Sequence, residues 1–282
     1  MEVIRSVSEM QARALALKRE GKTIGFVPTM GFLHEGHLSL VDLLREQCDI
    51  LLLSIYVNPT QFGAGEDFDK YPRDLDRDLQ MARERGVDLV FQPDSAEVYE
   101  ADASTYVLEE VVGKGLLCGN TRPNHFRGVA TVCAKLFNIC QPDKVALGQK
   151  DAQQVVVLKR MIRDLHFPIE VVVGPILREP DGLAMSSRNT YLQPKQREEA
   201  LLIFQALEAA RILVGEKGSR NVDRVKGEVL SVLQSRRFLR VNYVEVVDRE
   251  TMLAEKEILP GRSLLAVAAW VDQVRLIDNL CF

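Results

Sequence analysis

Metal and redox chemistry find little to work with in this chain, which has one tryptophan, four histidines and five cysteines in 282 residues. The cysteines (Cys48, Cys118, Cys133, Cys140 and Cys281) are odd in number, widely spaced and without a C-x-x-C pair. That excludes a disulfide framework and a zinc knuckle, and they read as small apolar side chains. Apolar runs such as "ILLLSIYV" (50–57) fall well short of the length that spans a bilayer. The opening "MEVIRSVSEMQARALALKREGK" is broken by charges and has no signal-peptide core, so a cytoplasmic protein is expected. Positive charge is not in excess either: the net charge of −4 offers no field for nucleic acid or an anionic membrane, and neither is expected as a partner.

What is present is the composition of a folded globular protein, 46% hydrophobic and 27% charged, with length for one large domain or two smaller ones. Short apolar runs alternate with amphipathic segments, the pattern of a parallel sheet covered on both faces. Strands are expected at 23–29, 49–58, 87–93, 143–148 and 169–174, and helices at 8–20, 36–47, 73–85, 127–140 and 152–165. The stretch 94–126 has no clean period and reads as a long functional loop with short elements. Beyond about Glu179 two helices (194–215 and 220–236) precede alternating runs at 241–247, 264–271 and 273–277, which suggests a small α+β unit with an antiparallel sheet. The expected fold is thus α/β, a Rossmann-like parallel-sheet domain (1–177) followed by a smaller α+β domain (178–282).

Three familiar motifs fail on counting. "HEGH" (34–37) lacks the spacing of the zinc-protease H-E-x-x-H, because position 38 is Leu. "EGKT" (20–23) has Ala16 where a phosphate-binding P-loop needs glycine, and it precedes a strand instead of following one. "GKGLLCG" (113–119) puts Cys118 where the dinucleotide fingerprint needs its third glycine.

The stretch "FVPTMGFLHEGHLSLV" (26–41) spends two of the four histidines between a strand and a helix. A loop there lies at the carboxyl end of a parallel strand, where open α/β sheets bind ligands, and the helix start offers free N–H groups to an anion. "NPTQF" (58–62), "GQKD" (148–151) and "REPDGLAMSSRN" (178–189) follow later strands and fall on the same rim. Taken singly, each has an ordinary structural reading, such as a turn or a helix cap. Together they supply two imidazoles, a lysine, an arginine and hydroxyls, an inventory suited to a triphosphate.

With "DFDKYPRDLDRD" (67–78) and "TRPNHFRGVATVC" (121–133) between them, these segments resemble, in order and from end to end, the pantoate–β-alanine ligase family of the HxGH nucleotidylyltransferase superfamily. The resemblance implies ATP-dependent condensation of (R)-pantoate with β-alanine to pantothenate, AMP and pyrophosphate through a pantoyl adenylate. It also implies a Mg2+ requirement and a homodimer. By similarity, His34 and His37 line the phosphates, Lys150 meets the α-phosphate, and Ser186, Ser187 and Arg188 close over the β- and γ-phosphates. Met30, Gly31, Phe32, Leu33, Glu35 and Gly36 would frame the nucleotide with Gly148, Gln149, Asp151, Leu177 and Met185. Gln61 and Gln154 would hold pantoate, backed by Phe62, Val129 and Val132. Asn58, with Gln61, is assigned to β-alanine and Arg122 to the phosphate side. Cys133 and Leu177 depart from the family's usual small apolar residue and valine. The metal ligands are left open, because the acidic residues of "DLDRDLQ" read as a solvated helix face.

Three other classes bear on the same residues. A plain nucleotidylyltransferase would share HxGH but gives no reason for the Gln61 and Gln154 pair. A non-catalytic scaffold needs none of His34, His37, Lys150, Ser186 and Arg188. A class I aminoacyl-tRNA synthetase would want a basic stripe for tRNA and room for an anticodon domain.

Overall fold

A computed structural model describes residues 1–234 and 236–282. The chain begins with β1 (Glu2–Ile4) and α1 (Val7–Arg19), then alternates β2 (Ile24–Thr29), α2 (Glu35–Arg45), β3 (Ile50–Ile55), α3 (Leu75–Glu84) and β4 (Leu89–Phe91). After the short helices α4 (Ser95–Val98) and α5 (Cys118–Thr121) come α6 (His125–Cys140), β5 (Lys144–Gly148), α7 (Ala152–Asp164) and β6 (Glu170–Gly174). The six strands form one parallel sheet in the order β1-β4-β3-β2-β5-β6. Helices α2 and α3 bury their apolar stripes on one face, and α1, α6 and α7 on the other.

Strand order reverses between β2 and β5, and there the sheet parts. The β2–β5 register covers only Gly25–Lys144 and Phe26–Val145, whereas β2 stays registered with β3 as far as Thr29. Pro28 is therefore tolerated in a central strand: on the β5 side there is no ladder left for its missing N–H to break. The result is a crevice at the carboxyl ends of β2 and β5.

The C-terminal part holds α8 (Pro194–Gly215), α9 (Val222–Leu233) and an antiparallel sheet of β7 (Leu239–Asp248), β8 (Ser263–Val271) and β9 (Val274–Cys281). Along β8, Leu265, Val267, Ala269 and Val271 pack under α8 and α9, while Leu264 and Ala266 join the core of the first layer. Both faces are covered, so the strand reads as unbroken apolar sequence although it is antiparallel. The helix expected over 220–236 ends at Leu233, and position 235 lies outside the described residues. The first strand, β1, escapes sequence reading: three residues show no period.

Cys118, Cys133 and Cys140 are buried as expected, and burial pushes the Cys133 thiol up to about 12. Cys48 is half-buried and Cys281 exposed, at the last residue of an edge strand, so these two are not core side chains.

Candidate active site

The crevice widens into a cavity of about 230 Å³ walled by β2, the start of α2, the Pro59–Gln61 turn, α6, the β5–α7 turn and residues 185–188. His34 is the N-cap of α2, and its Nδ1 accepts the Gly36 N–H at 3.1 Å. The remaining proton of the neutral ring then sits on Nε2. The Gly in H-x-G-H is a spatial necessity: a Cβ on Gly36 would lie 2.9 Å from the His34 ring. His37, one turn on, stacks on His34 with centroids 4.0 Å apart, and its buried Nδ1 has no partner among the described residues. Burial, and then the Lys150 charge, pull His34 down to about 4. Burial, followed by His34 and Lys150, holds His37 well below 6.5. Both rings are neutral at pH 7, N–H donors without charge, beside a lysine that makes no ion pair among the described residues.

The β5–α7 turn carrying Lys150 is held from the C-terminal sheet. Asn279 on β9, nearly buried, donates from Nδ2 to the carbonyls of Gln149 and Lys150, both at 3.0 Å. Next to it, Asp278 takes a bidentate pair from Arg178 at 2.6 and 3.1 Å. Burial pushes the Asp278 carboxyl up, against the pull of Arg178. Thus β9 anchors both the lysine turn and the start of the segment that ends in Ser186–Arg188. That segment is docked over the cavity mouth: Ser187 Oγ donates to the Phe32 carbonyl at 3.1 Å, and Arg188 forms a bidentate pair with Asp67 at 2.9 Å on both bonds.

On the opposite wall, the Gln61 amide donates to Met30 Sδ at 2.9 Å, and its oxygen accepts from Asn58 at 3.1 Å. Asn58 is 1% exposed and fully engaged, donating also to the Gly128 carbonyl and accepting from Thr60 and Tyr99. Arg122 reaches Glu66 at 2.7 and 2.5 Å and donates to His125 Nε2 at 2.9 Å; the other ring nitrogen, Nδ1, lies 2.8 Å from the Gln61 carbonyl. Burial, then Arg122, pulls His125 down to about 3. Against the cost of burial, Arg122 keeps Glu66 at about 2.

Of the residues singled out in the sequence, Met30, His34, Gly36, His37, Asn58, Gln61, Arg122, Val129, Val132, Gly148, Lys150, Asp151, Gln154, Leu177, Met185, Ser186, Ser187 and Arg188 meet on this cavity. Six do not. Leu33 is fully buried in the core behind α2 and Glu35 points outward to Arg85. Gly31 and Phe32 face the opposite side of their loop, toward α3. Gln149 turns to Asn279, and Phe62 packs against Phe68 and Tyr71. The physical reason is shared: in a turn or a first helical turn neighbouring side chains diverge, so a contiguous motif cannot place every member on one surface. The acidic stretch "DLDRDLQ" is not wholly solvated either, because Asp78 is 1% exposed. Sequence reading also passed over His125, Tyr71, Asn279 and Asp67. The first two and Asp67 lie inside quoted segments, but nothing in a single sequence marks Asn279.

The family model "Pantoate-beta-alanine ligase" matches residues 2–281. The pantothenate synthetase of Thermotoga petrophila is 49% identical over 279 residues, covering 99% of both chains, and that of Thermosipho melanesiensis is 51% identical over 280 residues, also 99% of both. Among solved structures, the pantothenate synthetase from Thermus thermophilus superposes with a TM-score of 0.93 at 44% identity, over 99% of both chains. The pantoate–β-alanine ligase from Francisella tularensis, complexed with β-γ ATP and β-alanine, gives 0.82 at 30% identity, over 100% of this chain and 97% of that one.

Proposed function

The chain belongs to the pantoate–β-alanine ligase family and joins pantoate to β-alanine to give pantothenate, and we propose that it does so in the cavity between β2 and β5, in two steps. In the first, a carboxylate oxygen of (R)-pantoate attacks the α-phosphorus of ATP and the bond to the β-phosphate breaks, releasing pyrophosphate. In the second, the β-alanine amine attacks the acyl carbon of the pantoyl adenylate and AMP leaves. Activation is needed because a carboxylate has no good leaving group, whereas AMP is one.

The single observation that carries this reading is the meeting of two neutral imidazoles, a lysine without an ion pair among the described residues and the Ser186–Arg188 segment at one strand-order reversal. In-line attack on phosphorus needs positioning and charge neutralisation more than covalent help. His37, neutral and on the cavity wall, supplies a donor to the transferring phosphate; His34 supplies a second through Nε2. Lys150 neutralises the α-phosphate, Asp151 takes the ribose hydroxyls, and Ser186, Ser187 and Arg188 cover the β- and γ-phosphates. Gln61 and Gln154 orient pantoate over Val129 and Val132. Asn58 acts on β-alanine only at second hand, by fixing the Gln61 amide, since its own polar atoms are taken.

Magnesium neutralises polyphosphate charge when it is bound. The cavity wall carries one carboxylate, Asp151, and among the described residues no three His, Cys, Asp or Glu groups cluster to hold an ion. The residues therefore do not fit a protein cage, and Mg2+ would enter on ATP itself. The reading includes the division at 177/178, supported by the separate apolar core that starts at Leu183. A cytoplasmic location is included too; no helix among the described residues is long and apolar enough to cross a membrane. A homodimer is also part of it: Val107 is tied to Thr131, while Tyr106, Leu108 and Val111 stand 49%, 41% and 56% exposed beside it.

Pantoate-dependent exchange of labelled pyrophosphate into ATP, without β-alanine, tests the reaction class. Exchange is expected; its absence with pantoate present overturns the adenylate.

A further inference from the structure

Asp78 is a carboxylate in an expensive place. It is 1% exposed on α3, and its nearest cation, Arg77 Nη1, stands 3.9 Å away with no hydrogen bond. Burying a carboxylate costs free energy unless hydrogen bonds replace its water, and an apolar residue at position 78 would pack α3 at less cost. The replacements are two backbone amides of the loop between β2 and α2. Phe32 N–H donates to Oδ2 and Leu33 N–H to Oδ1, both at 2.7 Å.

That loop holds an unusual backbone. Gly31 and Phe32 have φ of +78° and +49°, so two successive residues are left-handed and one of them carries a side chain. Successive amides in such a turn converge on one point and form a nest for an anion, which here is filled from within by Asp78. The carboxylate also needs the glycine: a Cβ on Gly31 would lie 2.9 Å from Asp78 Oδ2. The Arg77 guanidinium covers the Phe32 ring at 5.2 Å, and the Phe32 carbonyl accepts from Ser187. Phe32 is thus gripped through its N–H by α3 and through its C=O by the segment over the cavity, two residues before the His34 cap.

We propose that Asp78 is a positioning residue for adenylation: by holding the Phe32 and Leu33 amides it sets the left-handed turn that aims His34 and His37 into the cavity and presents the Phe32 carbonyl to Ser187. The inference rests on the adenylation reading of that cavity. Asp78 touches no substrate and acts through the backbone.

The test uses pantoate-dependent pyrophosphate exchange, with rates normalised to the folded fraction from circular dichroism. In Asp78→Asn one amide keeps an acceptor while the other meets an N–H. The exchange rate at saturating substrates should fall by roughly 10- to 100-fold, the scale of a sub-ångström to ångström misplacement, with KM for ATP changed far less. Three readouts separate positioning from mere support. Asp78→Leu should keep the thermal midpoint closer to wild type than its exchange rate. Phe32→Gly should recover part of the rate lost in Asp78→Asn, because glycine takes φ > 0 without a brace. Ser187→Ala should lower the rate in the wild-type background and much less in Asp78→Asn, since its acceptor has already moved. Wild-type exchange by folded Asp78→Asn with the Ser187→Ala penalty intact overturns the inference, as does loss of rate without recovery in Phe32→Gly. Lack of exchange in the unmodified protein would instead overturn the adenylation reading.

Discussion

An alanine at Gly128 would place its methyl carbon 2.4 Å from the Thr60 carbonyl oxygen, 2.6 Å from the Thr60 carbonyl carbon and 2.7 Å from Gln61 Cα. Non-bonded carbons rest at about 3.5–4.0 Å, so either α6 or the Pro59–Gln61 turn must retreat by about 1 Å. Helix α6 is locked into the core along most of its length, whereas the turn is half-buried, so the turn gives way. It takes the Asn58–Gln61 amide pair with it, because the Gly128 carbonyl is itself an acceptor for Asn58. Overpacking of this kind costs about 1–3 kcal/mol, and replacing glycine inside a helix by alanine returns up to about 1 kcal/mol. Net destabilisation is therefore about 0–3 kcal/mol, a thermal midpoint lower by up to roughly ten degrees. Catalysis should suffer more: a misplacement of about 1 Å at a substrate-orienting group costs about 100-fold. In the exchange assay kcat/KM for pantoate should fall on that scale, while calorimetric ATP affinity without pantoate stays within about threefold, or roughly 0.7 kcal/mol. Parallel loss of ATP affinity, or a pantoate kcat/KM equal to wild type, would refute the assignment of Gln61 to pantoate.

Removing the His37 donor by alanine should lower the exchange rate by about 10²–10³-fold with a much smaller effect on ATP binding; equal losses would mean that the ring serves only the ground state. Stability should fall with acid between pH 6.5 and 4. His34 (about 4), His37 (well below 6.5) and His125 (about 3) are neutral in the fold and protonate near 6.5 when unfolded. Below that value the unfolded chain binds more protons, and each histidine contributes a loss of up to about 1.4 kcal/mol per pH unit. Asp78 and Asp278, whose carboxyls burial raises, act with the opposite sign just above pH 4 and blunt the slope there. Urea midpoints at pH 7, 6 and 5 check this, and a flat profile would contradict it. For the proposed homodimer, Leu108→Glu, placing a charge on the exposed 106–111 patch, should shift sedimentation from dimer to monomer with the fold kept; an unchanged dimer would move the interface elsewhere, and a monomeric wild-type protein would overturn the dimer itself.

The parallel sheet was legible, β1 apart, because its central strands are buried on both faces and read as unbroken apolar runs between amphipathic helices. The crevice was legible because four polar motifs follow strands, and chain order alone puts them on one rim. What stayed hidden depends on contacts between distant segments. Helix α2 begins at Glu35, earlier than its expected start at 36, because His34 caps it through a ring nitrogen. Asp78 shares an acidic run with Asp74 and Asp76, which are exposed, and only the approach of the Phe32 loop makes it different. Asn279 governs the Lys150 turn across 129 residues of sequence, through two carbonyls that no periodicity could indicate.

In the reading proposed above, charge pairing lets one cavity admit a tetra-anion and then close on it. Of its three cationic side chains, Arg122 is already neutralised by Glu66 and Arg188 by Asp67, both carboxylates from the loop after the Pro59–Gln61 turn. Only Lys150 stands without an ion pair among the described residues, so in the proposed reading it is the cation that can meet a phosphate without first giving up a carboxylate. Arg188 can join only by exchanging one bidentate oxygen pair for another, an exchange that is nearly neutral in number of hydrogen bonds and favoured by the greater charge of the phosphates. A segment held by an exchangeable partner is ordered before ATP arrives, so closing it over the phosphates costs little conformational entropy. Its serine is meanwhile anchored on the Phe32 carbonyl, the same residue whose amide Asp78 holds. Closure and the aim of the two histidines are therefore set through one backbone turn, and that turn, more than the spacing of the histidines, is what the segment from Met30 to His37 contributes to the reaction.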